Sequence, residues 1–283
     1  MFSMNRLSLK DRAQILALLV EGNSLRSITR LTGNSINTVT KLLVDVGCAA
    51  SMYQHEVMRN LPCKNLQLDE IWSFCYAKER NVAPGGRELG QGDVWTWTAI
   101  CADTKLIPTF FVGRRTAEDA QLVVRDLASR LANRVQITTD GLHAYLSAVS
   151  SAFGGEVDYA TLQKVYGRAD PERRYSPPVC IGAHRVEELG QPDMGKVSTS
   201  YVERQNLTMR MSMRRFTRLT NGFSKKIENH AHAVALHFMY YNFGRIHKTL
   251  RVTPAMQARI ADHVWTLEEI ASLADERKEN VST

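Results

Sequence analysis

The 283-residue sequence lacks the paired cysteines and long apolar runs that mark several classes of protein. Its five cysteines are scattered and form no CxxC pair, which argues against a zinc knuckle or a disulfide framework and fits a reducing compartment. No apolar run approaches the roughly 18 residues of a membrane span. Residues 1–6 lead into a polar helix and not into the apolar core of a signal peptide. We therefore expect a cytoplasmic protein without a membrane segment.

Acidic residues are almost absent from residues 204–259, which hold eleven lysines and arginines and the single acid Glu228. Residues 260–283 have the opposite bias, with six acids and two bases, and are expected to form an acidic C-terminal tail. The formal net charge of the chain is +7. A basic block suggests a polyanionic partner, although a solvated helix face also contains such a run.

Three short helices are predicted in residues 1–50. The first follows an N-cap at Ser8, the second stops at Gly33, and the third begins with the mostly polar residues 34–38. A short helix, a glycine turn and a polar-fronted helix form the pattern of a helix-turn-helix domain. A plain three-helix bundle without a role in DNA binding is the alternative. Residues 51–63 are predicted to be a linker with a helical piece near residues 53–58.

The predicted helix-turn-helix separates its residues into an apolar and a polar set. The expected core residues are Ile28, Leu31, Ile36, Val39 and Leu42. Asparagine and threonine side chains can read base edges in the major groove, and basic side chains can contact phosphates. The residues expected to contact DNA are Arg26, Arg30, Asn34, Ser35, Asn37, Thr38 and Lys41.

Residues 66–74 alternate apolar and polar side chains and are predicted to form a strand. This strand carries two adjacent acids, Asp69 and Glu70. A carboxylate in a strand must be solvated, paired or bound to a cation. We interpret Asp69 as the first of three metal-binding acids. The alternative is an edge strand on which both acids face water.

A second acid follows a predicted short buried strand at residues 135–139. Strands at residues 94–101 and 106–113 are expected to form an antiparallel meander with the Asp69 strand. Asp140 then ends the buried strand, in the position where open α/β sheets bind ligands. The pair Asp140-Gly141 also suits a turn.

The third acid is Glu203, near the start of a helix predicted from Ser198 onwards. Glu203 lies three residues after Ser200, so a capping box is one interpretation. The other places Glu203 one turn inside a helix that faces the end of the sheet. Residues 166–198, rich in proline, glycine and charge, are predicted to be a loop or insertion within a catalytic domain at 64–259.

Three carboxylates suit metal-dependent phosphoryl transfer. Such enzymes hold two divalent ions about 3.5–4 Å apart on shared carboxylates. Oxygen ligands without cysteine favour Mg²⁺ or Mn²⁺ over zinc. The pattern therefore predicts two such ions on Asp69, Asp140 and Glu203.

Three motifs carry a resemblance to a known family. The segments LDEIWSF at 68–74, TTDG at 138–141 and TSYVERQN at 199–206 resemble the acid motifs of insertion-sequence transposases of the IS-one type. The segment MYYNFGRIHKTL at 239–250 is similar to the end of those catalytic domains. The resemblance implies an α/β fold with a ribonuclease-H-like mixed sheet and flanking helices, and a catalytic triad of Asp69, Asp140 and Glu203.

The resemblance also implies a function and partners. It implies a bacterial, nucleoid-associated homo-oligomer that binds the ends of its element, cleaves double-stranded DNA and joins the 3′ ends to target DNA. One alternative is a nuclease that cuts without joining, and another is a catalytically inert DNA-binding regulator.

The residues expected to hold the phosphate backbone are Arg204, Arg210, Arg214, Arg215, Arg218, Lys225 and Lys226.

Overall fold

The computed structural model describes residues 7–167, 179–217 and 220–281, apart from the side chains of residues 277–281. Within these ranges the chain forms a six-stranded mixed sheet flanked by helices. The strands are β1 (Asn65–Cys75), β2 (Gly92–Cys101), β3 (Thr109–Gly113), β4 (Val135–Thr139), β5 (Val157–Tyr166) and β6 (Cys180–Leu189). The helices are α1 (Leu9–Val20), α2 (Leu25–Thr32), α3 (Ile36–Val57), α4 (Ala117–Ala128), α5 (His143–Phe153), α6 (Ser200–Ser212), α7 (Ile227–Met239), α8 (Pro254–Gln257) and α9 (Leu267–Val281). None of the helices in these ranges combines the length and apolar character needed to cross a bilayer.

The strands lie in the order β3-β2-β1-β4-β5-β6. The predicted meander is confirmed, because β1, β2 and β3 are antiparallel neighbours. β4 runs parallel to β1, β5 runs parallel to β4, and β6 is antiparallel to β5. β1 is therefore an interior strand, paired with β2 along its length and with β4 at Asn65–Gln67, and Glu70 is buried, so the alternative of an edge strand with both acids facing water is wrong.

Both faces of β1 are covered. On one face Leu68 belongs to a core that includes Trp97 and Tyr145. On the other face Ile71 packs in a second core with Val202 of α6 and Phe238 of α7. Because successive side chains of a strand point to opposite faces, Asp69 lies on the α6 side and Glu70 on the α5 side. An acid in the middle of this strand is thus partly desolvated and needs a partner.

The N-terminal helices pack into the same core as the sheet. Ile15, Ile28 and Val39 join Leu68 in one continuous apolar cluster. α1 contacts α9, and α3 contacts both α7 and α9. The core is therefore continuous across residue 50, where the sequence predicts a domain boundary. Two expected core residues lie outside it, since Leu31 is 61% exposed and Ile36 is 42% exposed.

Three segments contain more regular structure than the sequence predicts. The helical piece expected within the linker at 51–63 is continuous with α3, which extends to Val57. The loop predicted at 166–198 contains β6, whose side chains are mostly exposed and so give no clear apolar alternation. The acidic tail predicted at 260–283 contains α9, which buries Ile270 and Ala271 against α1 and α3. In each case a tertiary contact supplies order that the local composition does not indicate.

Candidate metal centre

The parallel pairing of β1 with β4 brings Asp69 and Asp140 together. Gln67 of β1 lies opposite Thr138 of β4, so each strand reaches its aspartate two residues later. β4 ends at Thr139, whereas β1 continues to Cys75. Asp140 therefore lies just past the end of β4, beside the part of β1 that has no strand partner on that side. Its Oδ1 accepts a hydrogen bond of 3.0 Å from the backbone N–H of Leu142, which fixes it at the start of α5.

One carboxylate oxygen from each of Asp69, Glu70 and Asp140 lies within 4.8 Å of the others. Glu70 joins this cluster from the opposite face of the sheet, because Asp140 sits at the end of β4 where both faces are accessible. Arg115 donates to Glu70 Oε1 through Nε at 2.7 Å and Nη2 at 2.6 Å, and the Tyr145 hydroxyl donates to Oε2 at 3.1 Å. Glu70 is thus a buried acid with partners on both oxygens. No role was predicted for it from the sequence, although two adjacent acids in a strand were the available signal.

Asp69 is held by two donors. Its Oδ1 accepts the backbone N–H of Glu70 at 2.9 Å, and its Oδ2 accepts the side-chain Nδ2 of Asn206 at 2.7 Å. Burial, followed by repulsion from Glu70, raises the pKa of Asp69 to about 7, with smaller contributions from Asp140 and Glu203. Burial and the nearby Asp140 also raise the pKa of Glu70. The metal-free cluster therefore carries a repulsion that a bound cation would relieve.

Helix α6 brings Glu203 to the same face of the sheet as Asp69. Gln67 shares that face, and its Oε1 accepts the backbone N–H groups of Tyr201 at 2.8 Å and Val202 at 3.1 Å. These bonds attach the first turn of α6 to β1. Glu203 is the next residue, so these hydrogen bonds fix the distance of its backbone from the sheet.

Glu203 lies outside the group of three acids that approach within 4.8 Å. Its Oε1 accepts from Lys164 Nζ and from the Thr199 hydroxyl, and its side chain is 42% exposed. Thr199 is the N-cap of α6 and makes no side-chain cap bond, so the capping box with Ser200 does not form. The structure thus gathers Asp69 and Asp140, and leaves Glu203 on the adjoining helix with a lysine partner.

The donor set of this centre fits a hard divalent cation. The gathered oxygens are all carboxylate oxygens, and neither cysteine nor histidine belongs to the cluster found among the described residues. Carboxylates with room for water are the environment that Mg²⁺ and Mn²⁺ take in phosphoryl-transfer sites.

The polar residues predicted at the N-terminal helices lie around the α2–α3 turn. Gly33 ends α2 with a φ of 74°, and Ser35 caps α3 by accepting from the Thr38 N–H at 3.1 Å. Lys41 pairs with Asp45 at 3.0 Å. The exposed members of the predicted set are Arg26, Arg30, Ser35, Asn37 and Lys41, whereas Asn34 and Thr38 are half-buried.

The predicted phosphate-binding residues near α6 and α7 divide by exposure. Arg204, Arg214, Lys225 and Lys226 are exposed, and Arg210 is half-buried. Arg215 donates to the Ser224 hydroxyl at 2.8 Å, and burial lowers its pKa to about 10. This contact gives Arg215 a structural role that the sequence did not indicate. Arg218 lies outside the described residues.

Comparison with known proteins gives similarities to several solved structures, and two of them are named below. No family model matches the chain, and no curated protein matches it. The chain is similar to a structure described as the piggyBac transposase synaptic complex with hairpin DNA, with a TM-score of 0.41 and 11% identity over 100% of this chain and 78% of that one. It is also similar to the Mos1 strand transfer complex, with a TM-score of 0.23 and 11% identity over 84% of this chain and 77% of that one.

Proposed function

We propose that this chain is a DNA transposase of an insertion sequence, which cleaves DNA strands and transfers them with the help of divalent cations. The observation that carries the proposal is the convergence of Asp69 and Asp140 at the end of the parallel strands, with Glu203 on the helix that covers the same face. A mixed sheet with the antiparallel β3-β2-β1 meander and the parallel pair β1-β4 supports a ribonuclease-H-like catalytic domain.

The residues of the proposed centre have separable roles. Asp69, Asp140 and Glu203 would hold two Mg²⁺ or Mn²⁺ ions, and Glu203 would exchange Lys164 for a cation. When bound, such ions activate the attacking water or 3′-hydroxyl and stabilise the leaving oxygen. Arg115 and Tyr145 hold Glu70 on the α5 side of the sheet. From there its negative charge would favour a cation bound at Asp69 and Asp140. Lys164, once released from Glu203, would be free to contact a DNA phosphate.

The N-terminal helices supply the proposed element-end recognition. The C-terminal half of α3 packs into the molecule, where Val46 and Ala50 are buried, whereas Ile36 and Asn37 at its start are exposed. Recognition helices of helix-turn-helix proteins contact bases through their N-terminal residues. We infer that α2 and the start of α3 bind DNA in this way, and that two chains act together because two element ends must be paired.

The test uses the full chain, a supercoiled plasmid and a labelled duplex with a recessed end. We expect plasmid nicking with Mg²⁺ or Mn²⁺ and none with EDTA. We also expect the labelled duplex to join the plasmid when its 3′-hydroxyl is free and not when it is a dideoxy end. Nicking without joining would instead indicate a nuclease, and DNA binding without any metal-dependent nicking would indicate an inert regulator. Either of these results would overturn the proposal.

The exposed bases near α6 and α7 predict a salt effect on DNA binding. We expect a weaker salt dependence when glutamine replaces Arg204, Arg214, Lys225 and Lys226. The slope of log binding constant against log salt concentration should become less negative by about 0.9 for each phosphate that the variant no longer neutralises. Fluorescence anisotropy with a labelled duplex at several salt concentrations measures the slope. Arg125 of α4 is an exposed base on the other side of the sheet, so Arg125→Gln is the matched control and should leave the slope unchanged. An unchanged slope in the quadruple variant would remove these residues from the interface.

A further inference from the structure

Asn206 is a buried amide in direct contact with the candidate metal centre. It lies on α6 three residues after Glu203 and is 7% exposed. Its Nδ2 donates to Asp69 Oδ2 at 2.7 Å. A charged acceptor makes this a strong hydrogen bond, which holds the Asp69 carboxylate in one orientation.

The other end of the same amide has no partner. Asn206 Oδ1 is buried and accepts no hydrogen bond from any residue that the structure describes. Buried amide oxygens are almost always paired in folded proteins, so an unpaired one needs a physical reason. The amide cannot gain a partner by turning over at Asp69, since that would set two oxygen acceptors against each other.

The position of this oxygen relative to Asp69 follows from amide geometry. The oxygen and nitrogen of a primary amide are about 2.2 Å apart, so Oδ1 lies at most about 5 Å from Asp69 Oδ2. A Mg²⁺ ion binds carboxylate oxygens at about 2.1 Å and keeps several of its waters. A water on an ion held by Asp69 can therefore lie within hydrogen-bond distance of Asn206 Oδ1.

We propose that Asn206 is a positioning residue of the metal centre, which orients Asp69 through its N–H and accepts a hydrogen bond from a cation-bound water through Oδ1. The inference rests on the proposed function in that it requires a divalent cation at Asp69. It gives the unpaired oxygen a partner that exists only in the metal-bound protein. Amides and carbonyls beside metal ligands commonly tune metal affinity in this way.

The test measures binding of Mn²⁺ alone to the full chain, by electron paramagnetic resonance of free Mn²⁺, without DNA. Asn206→Ala should weaken Mn²⁺ binding by about 10–100-fold, the usual cost of losing a group that supports a metal ligand. Thr96→Val is the matched control. Its buried hydroxyl also lacks a partner among the described residues, but it lies opposite Ile71 and not beside the acids. The control should bind Mn²⁺ as the wild type does.

Asn206→Asp keeps the shape of the side chain and provides a second readout. It removes the N–H donor and adds a charge beside Asp69, so it should lower the melting temperature of the metal-free protein. Added Mn²⁺ should then raise that temperature by more than it does in the wild type, because the new carboxylate lies beside Asp69 and can bind the ion.

The outcomes separate this inference from the proposed function. The inference and the proposed function would both be overturned if the wild-type protein fails to bind Mn²⁺. They would also both be overturned if Asp69→Asn binds Mn²⁺ as tightly as the wild type does. Binding that depends on Asp69 but stays within twofold in Asn206→Ala would overturn only the role of Asn206. An equal Mn²⁺-induced shift of the melting temperature in Asn206→Asp and wild type would also overturn it, since a purely structural asparagine predicts that result.

Discussion

Replacing Asp140 with asparagine is expected to lower the rate of DNA strand cleavage by about a thousandfold or more. Asp140 approaches Asp69 to within 4.8 Å at the end of β4, and asparagine removes the charge that would hold a divalent cation there. A metal supplies several kcal/mol of transition-state stabilisation, and about 1.4 kcal/mol corresponds to a factor of ten in rate. Plasmid nicking in Mg²⁺ measures the loss. Asp69→Asn and Glu203→Gln should behave alike.

DNA binding should survive the same substitution. The change removes a negative charge that faces the phosphates, so affinity in the absence of metal should stay equal or rise slightly. Asp103→Asn is the matched control, because Asp103 is an exposed aspartate in the turn after β2, at the other end of the sheet. Its nicking rate should equal that of the wild type. Asp140→Asn that retains a tenth or more of wild-type nicking would exclude Asp140 from the centre.

Replacing Gly47 with alanine is expected to destabilise the protein by about 1–2 kcal/mol, although alanine is the better helix former. A Cβ at position 47 would lie 2.4 Å from the carbonyl oxygen of His232 and 2.7 Å from its Cβ. The gain in helix propensity is roughly 1 kcal/mol, whereas overpacking a contact with a backbone atom costs about 1–3 kcal/mol or more. Because the carbonyl belongs to α7, relief requires α3 and α7 to move apart. Urea unfolding measures the change in free energy.

The control for this helix contact is Ser51→Ala. Ser51 lies one turn later on α3 and is exposed, so its replacement should change stability by no more than about 0.5 kcal/mol. Gly47→Val should be more destabilising than Gly47→Ala. Equal or greater stability of Gly47→Ala would show that α3 and α7 do not pack as closely as the structure has them.

Gly47 also shows why one part of the fold was not predictable. A glycine ends a helix when the backbone must turn, as Gly33 does with its positive φ, but it also lets two helices touch. The sequence around Gly47 fits both uses, and only the position of α7 decides between them. α9 is a second element that the sequence does not predict, because its apolar face is buried only through tertiary contacts such as those with α1 and α3.

Part of the candidate site was likewise predictable from the sequence and part was not. The strand around Asp69 and the buried strand before Asp140 follow from local alternation and apolar runs, and the parallel register then places the two acids side by side. The partners of the acids come from far along the chain. Lys164 pairs with Glu203, Arg115 with Glu70, and no local pattern links either pair.

The most direct test of the metal centre is anomalous diffraction at the manganese edge from crystals of the full chain grown with Mn²⁺. We predict an anomalous peak in contact with carboxylate oxygens of Asp69 and Asp140, with Glu203 turned away from Lys164 toward it. Manganese bound only elsewhere, or its absence from this pair of aspartates at saturating concentration, would contradict the assignment of the acids as a catalytic metal centre.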